Sequence, residues 1–351
     1  MRPSPASGST DRADDRRVTI ADIAREAEVS TSAVSYALNG RRGVSPRTRE
    51  RILVLAKDLG WRPHSAARAL KAARADAVGL LLAGEEEAFG EEAFFLLRFL
   101  AGLEGALAGR GVALVLHTVP DRGAENAVYE QWYAERRVDG MIVLNPVVDD
   151  PRLHFLERLG LPAVVVGDTR DTSPLPAVWT DDREAAALAV DHLVALGHTR
   201  IARVGGIPEL VHSGIRKRGF QEAMRQAGLS PELDIDTDYR IEPATLELLG
   251  LREPPTAIIY ESEIMAMQGL SVVRDEGLDV PRDISVVAWD DSLYCRLVHP
   301  RLTALHRDIF NYGRLAAAHL LDVLDGSPAR DLQGTVTELA VRDSTGPPLP
   351  D

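Results

Sequence analysis

The sequence predicts a small all-α head followed by an α/β core of two doubly wound parallel-sheet subdomains. Three observations predict it. Residues 18–61 break into three short, separately capped helical stretches. From Ala77 onward, Val/Ile/Leu runs of strand length alternate with amphipathic stretches, the pattern of parallel strands covered on both faces. Charge is divided as well: Arg16 to Arg74 carries 13 Lys+Arg against 5 Asp+Glu, a balance of +8, while the whole chain stands at −13, leaving −21 elsewhere. A length of 351 residues suits roughly two domains at about 150 residues each.

Taken in order, residues 1–17 have no apolar period and read as a disordered tail. Thr19 caps the first helix, and Asp22 completes a capping box. Ile20, Ile23, Ala24 and Ala27 share its apolar face. Ser30 caps a second helix, Thr31 to Leu38, with Val34, Ala37 and Leu38 inward. Ser45-Pro46 opens a third, striped by Ile52, Leu55, Ala56 and Leu59 and stopped by Gly60. Two short helices joined by a tight turn make a helix-turn-helix, whose second helix lies in a DNA major groove. The same three helices also fit a plain small bundle. The segment 62–75 contains a short Ala-rich helix, marginal in isolation.

Strands are expected at 78–83, 112–119, 140–144, 163–167, 200–205, 256–260 and 284–289. Helices are expected near 92–109, 122–136, 151–159, 183–196, 214–227, 263–277 and 308–325. So many units favour two linked subdomains over one sheet.

Several classes are excluded. A single cysteine, Cys295, rules out an intrachain disulfide framework and a Cys-rich zinc site. No run is long and apolar enough to span a bilayer, and no signal-peptide core is present, so a cytoplasmic protein without membrane contact is expected. GxSxG, Walker A, HExxH and a GxGxxG after the first strand are all missing, so neither an enzyme nor a cofactor or metal is expected.

The residues from Val18 to Lys71, VTIADIAREAEVSTSAVSYALNG, VSPRTRERILVLAKDLGWRP and AARAL, resemble the DNA-binding head of the LacI/GalR transcriptional regulators. Stretches such as VDGMIVL, LPAVVVGD, RKRGFQEAM, ISVVAWDD and HPRLTALHRD carry the resemblance to about residue 343. It implies a homodimeric regulator: a helix-turn-helix head (18–61), a hinge (62–75) and a periplasmic-binding-protein-like type I core (76–343). The first subdomain would span about 76–181 and 307–326, and the second about 182–306 and 327–343. The chain would cross between them near 177–182, 304–308 and 326–330, and 344–351 would be a tail. The tail lacks leucine heptads, which argues against a tetramerising coiled coil.

Matched to the family's positions, Thr31, Ser32 and Tyr36 would meet base edges. Thr19, Ser30, Ser35, Asn39, Arg42 and Thr48 would meet phosphate or backbone, contacts that set register. Leu70 would wedge into the minor groove at the operator centre and kink it, with Ala67 letting two hinge helices approach. Two such heads imply a palindromic operator.

In the core, Arg216 and Asp290 match ligand-contacting positions, and Asp168 and Asp181 match positions that contact ligand or bridge subdomains. Phe94, Trp179 and Trp289 are candidate stacking faces. Glu263 stands where a shorter acid is usual and would crowd the cleft, Ala288 replaces a usual glycine, and Asp182 a frequent asparagine. The extra carboxylates favour a neutral, hydroxyl-rich effector such as a sugar. A ligand that favours a splayed core would be an inducer, and one that favours a closed core a corepressor. The residues leave both signs open, and nucleosides remain an alternative ligand class. An inducer of carbohydrate-utilisation genes is the expectation that sugar-sensing relatives imply. A sugar-binding protein without DNA function is the competing class, set against the basic head.

Overall fold

The computed structural model describes residues 18–38, 40–61, 74–84 and 93–350. Expectations for the tail 1–17, for Asn39 and for the hinge residues Ala67 and Leu70 lie outside the described residues. The chain divides into two units, residues 1–73 and 74–351.

The head consists of α1 (Ile20–Glu26), α2 (Thr31–Leu38) and α3 (Pro46–Asp58). Each start is capped by its own sequence. Thr19 Oγ1 accepts from the Asp22 N–H while the Asp22 carboxylate accepts from the Thr19 N–H, closing the capping box. Hydrogen bonds from Thr19, with Arg25 adding to them, hold the Asp22 carboxyl down at about 2. Ser30 Oγ accepts from the Ala33 N–H at 3.1 Å, and Ser45 Oγ from the Thr48 N–H at 3.1 Å, with Pro46 in the first helical turn. No helix this short is stable alone in water. They persist because Ile23, Val34, Ala37, Ile52 and Ala56 bury one another, with Trp61 packed at the margin.

The core has two sheets. The first is ordered β11-β5-β4-β3-β1-β2 and is parallel throughout. Its strands are β1 (Ala77–Ala83), β2 (Ala113–Val119), β3 (Gly140–Val143), β4 (Ala163–Val166), β5 (Ala177–Trp179) and β11 (Leu332–Gln333). One face packs against α4 (Ala93–Gly109) and α12 (Ile309–Leu324), through Phe99, Leu103, Ala316 and Leu320. The other packs against α5 (Glu125–Ala134) and α6 (Pro151–Leu159), through Tyr129, Trp132 and Leu156.

The second sheet is ordered β12-β10-β9-β8-β6-β7, parallel except for the antiparallel edge strand β12. Its strands are β6 (Ile201–Gly205), β7 (Asp234–Asp236), β8 (Ala257–Tyr260), β9 (Ser285–Trp289), β10 (Thr303–His306) and β12 (Glu338–Ala340). Helices α7 (Asp182–Ala195) and α8 (Val211–Gln226) cover one face. Helices α9 (Ile241–Leu249) and α10 (Glu263–Asp275) cover the other, and α11 (Leu293–Leu297) follows β9. Period-2 alternation sorts the side chains: Val78 and Leu80 face α4 and α12, while Ala77 and Leu81 face α5 and α6.

Helices α4 and α12 meet backbone to backbone. A Cβ on Gly102 would lie 1.9 Å from the Phe310 carbonyl oxygen, and one on Gly313 2.1 Å from that of Phe99. Glycine alone permits this approach.

Two boundary expectations are corrected. The third crossing does not fall at 326–330. Leu332 and Gln333 pair with Val178 and Trp179, and the Gly334 N–H donates to the Trp179 carbonyl at 2.6 Å, so the chain leaves the first half only after Gly334. A two-residue strand has no apolar run to announce it. The segment after 343 is also no loose tail. Ser344 is fully buried: its Oγ donates to the Val286 carbonyl at 2.6 Å and accepts from the Thr303 N–H at 2.8 Å.

The same segment captures His198, whose Nε2 lies 2.9 Å from the Gly346 carbonyl and whose Nδ1 lies 2.8 Å from Thr256 Oγ1. Burial pushes the imidazole below its ordinary 6.5, nearby His192 adds to this, and the Gly346 carbonyl opposes it. A depressed folded value means that the unfolded chain binds the proton first, so stability present above about pH 6.5 is lost on acidification. The Tm is expected to fall as pH is lowered from 7 toward 5, with a shallower slope in His198→Gln. Equal slopes would contradict this assignment.

Candidate nucleic-acid interface and ligand cleft

In the head, period 3.6 places Thr31, Ser32, Ser35 and Tyr36 on the face of α2 opposite Val34 and Ala37. Thr31, Ser32 and Tyr36 are exposed, Tyr36 at 41% for an aromatic ring, and Ser35 is half-buried. The ring of Tyr36 is backed by the following loop, since a Cβ on Gly43 would lie 3.1 Å from it. Ser30 and Ser32 hydroxyls bond each other at 2.8 Å, and Ser45 and Thr48 do the same. Thr19, Ser30 and Thr48 therefore hold their helix starts, at the ends where free backbone N–H groups suit phosphate. Arg41 and Arg42 are exposed in the loop between α2 and α3, and Arg49 donates to the Arg41 carbonyl, fixing that loop's path.

In the core, the carboxyl ends of seven strands from both sheets converge on one cavity of ≈ 90 Å³. Asn145 follows β3, Asp168 β4, Thr180 β5, Gly206 β6, Glu261 β8, Asp290 β9 and Arg307 β10, and all line it. Asn145 and Asp290 hold left-handed backbone (φ +49° and +64°), sparsely populated even for Asn and Asp and concentrated at functional sites.

A chain of alternating charges crosses the cavity. Arg307 donates Nε to Asp290 Oδ1 at 2.7 Å and Nη2 to Oδ2 at 3.0 Å, a bidentate pair. Its Nη1 reaches Thr180 Oγ1 at 3.3 Å and lies 3.9 Å from Asp182 Oδ1. Asp182 Oδ2 in turn accepts from Arg216 Nε at 3.1 Å. Arg216 stacks its guanidinium 4.3 Å above the Trp289 ring and donates to the Glu261 carbonyl. Behind it, Arg203 donates to the Glu261 carboxylate and to Asp234, so this buried charge is matched too. Burial works against the Arg307 cation, but Asp290 and Asp182 outweigh it and the net shift is upward. His212 lines the same cavity. Burial and the nearby Arg216 and Arg307 cations, with Arg122 adding, outweigh Asp290 and hold its imidazole well below 6.5, hence neutral at pH 7.

Of the expected cleft residues, Asp168, Arg216, Glu263 and Asp290 lie at the cavity, and the long acid Glu263 is buried there. Four do not, and this is a correction. Phe94 packs tilted against Tyr294, ring centroids 6.3 Å apart, with Arg98 over it, and its neighbour Phe95 lines the cavity instead. Asp181 caps α7, accepting from the Glu184 N–H at 2.9 Å, which turns the next residue, Asp182, inward. Trp289 points into the α7–α8 layer beneath Arg216, because successive strand residues face opposite sides. Trp179 carries the Arg170 guanidinium 3.4 Å over its ring and does not line the cavity. Arg307, His212 and Tyr239 went unassigned. For Arg307 a signal existed: β9 and β10 pair in register, Trp289 against Leu305, so an acid and a base just past their ends become neighbours. Among the described residues no group of three His, Cys, Asp or Glu is placed to hold a metal, and no helix is long and apolar enough to cross a membrane.

Residues 19–64 match the family model described as bacterial regulatory proteins, lacI family, and residues 190–345 match that of a periplasmic binding protein-like domain. The chain is 32% identical to the HTH-type transcriptional repressor PurR of Erwinia tasmaniensis, over 87% of this chain and 89% of that protein. Among solved structures it is similar to a transcriptional regulator CelR-cellobiose complex (TM-score 0.71, 30% identity, 93% of this chain and 100% of that one). It is also similar to the lac repressor dimer bound to operator and the anti-inducer ONPF (TM-score 0.82, 25% identity, 94% and 100%). With the helical head, the two parallel-sheet halves and this likeness over nearly its whole length, the chain belongs to the LacI family and is a DNA-binding transcriptional regulator.

Proposed function

We propose that the chain acts in the cytoplasm as a homodimeric repressor of carbohydrate-utilisation genes. It binds a palindromic operator and is released by a small, neutral, hydroxyl-rich inducer. The carrying observation is the charge chain Asp290–Arg307–Asp182–Arg216, supplied by the ends of β9 and β10 and by helices α7 and α8, in a cavity that Asn145 and Asp168 of the first half also line. Its cations already have carboxylate partners, so an anionic ligand finds no spare charge, while hydroxyls can share the carboxylate oxygens and the guanidinium fork. A ligand bonded to both halves favours one arrangement of them, and only such a difference can shift DNA affinity. The cellobiose named in the related CelR structure suits this chemistry.

On DNA, Thr31, Ser32 and Tyr36 read base edges, Arg42 and the helix starts hold phosphate, and Leu70 of each hinge parts the central step. Selection of bound duplexes from a random pool, with and without glucose, cellobiose and related sugars, tests both halves of this reading. A palindrome that one sugar releases is expected. A palindrome insensitive to every sugar would reject the ligand class, and no enriched site would reject the DNA reading unless an added metabolite restores one. On the selected site, Leu70→Ala should cost about tenfold or more in affinity, the scale of the few kcal/mol tied up in one unstacked step, and should abolish the bend.

A further inference from the structure

Beside the cavity the two halves of the core are joined by main chain. Val147, in the loop after β3, and Leu210, in the turn after β6, form an antiparallel bridge. Two hydrogen bonds flank it: the Val148 N–H donates to the Glu209 carbonyl and the Val211 N–H to the Pro146 carbonyl, both at 3.0 Å. The residues bordering this bridge, Asn145 and His212, both line the cavity.

The two sides differ in construction. The 144–150 side is held by buried charge. Arg152 donates Nη2 to the Leu144 and Asn145 carbonyls at 3.2 Å and is itself paired with Glu125 and Asp150. Asp150 accepts from the Val147 N–H, and Arg122 donates to the Asn145 carbonyl at 2.7 Å. The opposite side, Gly206 to Leu210, is a turn closed by the Leu210 N–H on the Ile207 carbonyl at 3.2 Å and anchored at its two ends, where the Gly206 N–H donates to the Glu261 carboxylate at 2.9 Å and the Leu210 carbonyl accepts from the Gly214 N–H at 3.2 Å. Between those anchors, Ile207 to Glu209 is backbone without a buried arginine behind it.

We propose that residues 146–148 and 209–211 form a backbone latch that gates the ligand cavity and sets the balance between the closed and open core. Backbone groups make it, so it operates whatever the effector is. It has two outer hydrogen bonds around a single bridge, and each typical bond is worth only a factor of about 2 to 13. Thermal opening is therefore frequent enough to admit a ligand.

Val211 offers a clean test. It is the first residue of α8, where proline is well tolerated, and Leu210 before it has the extended backbone (φ −72°, ψ 132°) that a following proline requires. Val211→Pro in the full-length chain deletes one rung and leaves the helix intact. The first readout is amide exchange at Val148, which carries the other rung. It is expected to speed up about three- to tenfold, the share of one hydrogen bond, with α8 and β3 unchanged. The second is modification of a cysteine placed at Ile215, which lines the cavity, by a small methanethiosulfonate; native Cys295 is buried. Its rate should rise by the same factor when Val211→Pro is added. Unchanged exchange and unchanged modification, or a Val148 amide unprotected in the parent chain, overturn the latch. If Val211→Pro loses core protection altogether, the pair Val147→Cys and Leu210→Cys decides. Directly bridged residues lie about 4.5–5.5 Å apart, within disulfide reach. Spontaneous oxidation that slows modification at position 215 supports the latch, and failure to oxidise overturns it. None of these readouts needs DNA or effector, so their outcome is separate from that of the operator selection.

Discussion

Arg307→Met is expected to destabilise the core by about 3–5 kcal/mol, the cost of stripping the partner from a buried charge. Asp290 loses both of its hydrogen bonds to Arg307, and Asp182 loses a neighbouring cation. The Arg307 and Asp290 side chains are only 8% and 12% exposed, so water cannot replace the guanidinium. For a core of this size the loss corresponds to roughly 10 °C in Tm. A second variant separates an orphaned charge from lost packing. The double variant Arg307→Met/Asp290→Asn removes the charge as well as its partner and should recover more than half of the loss; asparagine also tolerates the left-handed backbone at 290. A single variant within 1 kcal/mol of the parent would mean that the Arg307–Asp290 pair is not what holds the cavity floor.

Gly313→Ala is the second large effect, and its sign runs against helix propensity. In an exposed helix the change gains about 1 kcal/mol. Here the new methyl would sit 2.1 Å from the Phe99 carbonyl oxygen and 3.0 Å from the Leu103 nitrogen, both backbone atoms that no rotamer change can move aside. Helix α12 must shift away from α4, loosening Phe99, Leu103, Ala316 and Leu320 together. Overpacking of this kind costs about 1–3 kcal/mol, and more where backbone is displaced, so a net loss of roughly 3 kcal/mol is expected by denaturant titration. Because Tyr312, the preceding residue, lines the cavity, effector affinity should fall with it. A more stable Gly313→Ala would show that the two helices separate freely.

The long strands were legible because a strand covered on both faces must be apolar at every position, and such runs have few other readings. The head was legible from its caps: Thr19, Ser30 and Ser45 each stand where the helix begins. Short strands were not. β5 and the edge strands β7, β11 and β12 have two or three residues each, too few to show an apolar run, and β11 and β12 pair with strands far away in the chain. The residues expected at the cleft fell on the cavity lining or one position from it. Family matching found Asp290 and Arg216 but chose Asp181 over Asp182 and Phe94 over Phe95. The direction a side chain takes at a helix start depends on which residue caps, and that is decided by local hydrogen bonding. Arg307 was missed because a buried arginine has no pattern of its own; its place is apparent only once β9 and β10 lie side by side.

The return of α12 and β11 to the first sheet also sets the order in which the protein can be completed during synthesis. Residues up to Trp179 supply five of the six strands of that sheet, but the sixth follows about 150 residues later. At about 5–20 residues per second, the ribosome needs roughly 8–30 s to supply it. Meanwhile Val78, Leu80, Ile142 and Val164 lack the α12 half of their cover. The second half, whose strands β6 to β10 emerge as one block, can form its sheet first. A nascent chain stalled between residues 200 and 300 therefore presents an unfinished apolar face, the natural target of a chaperone.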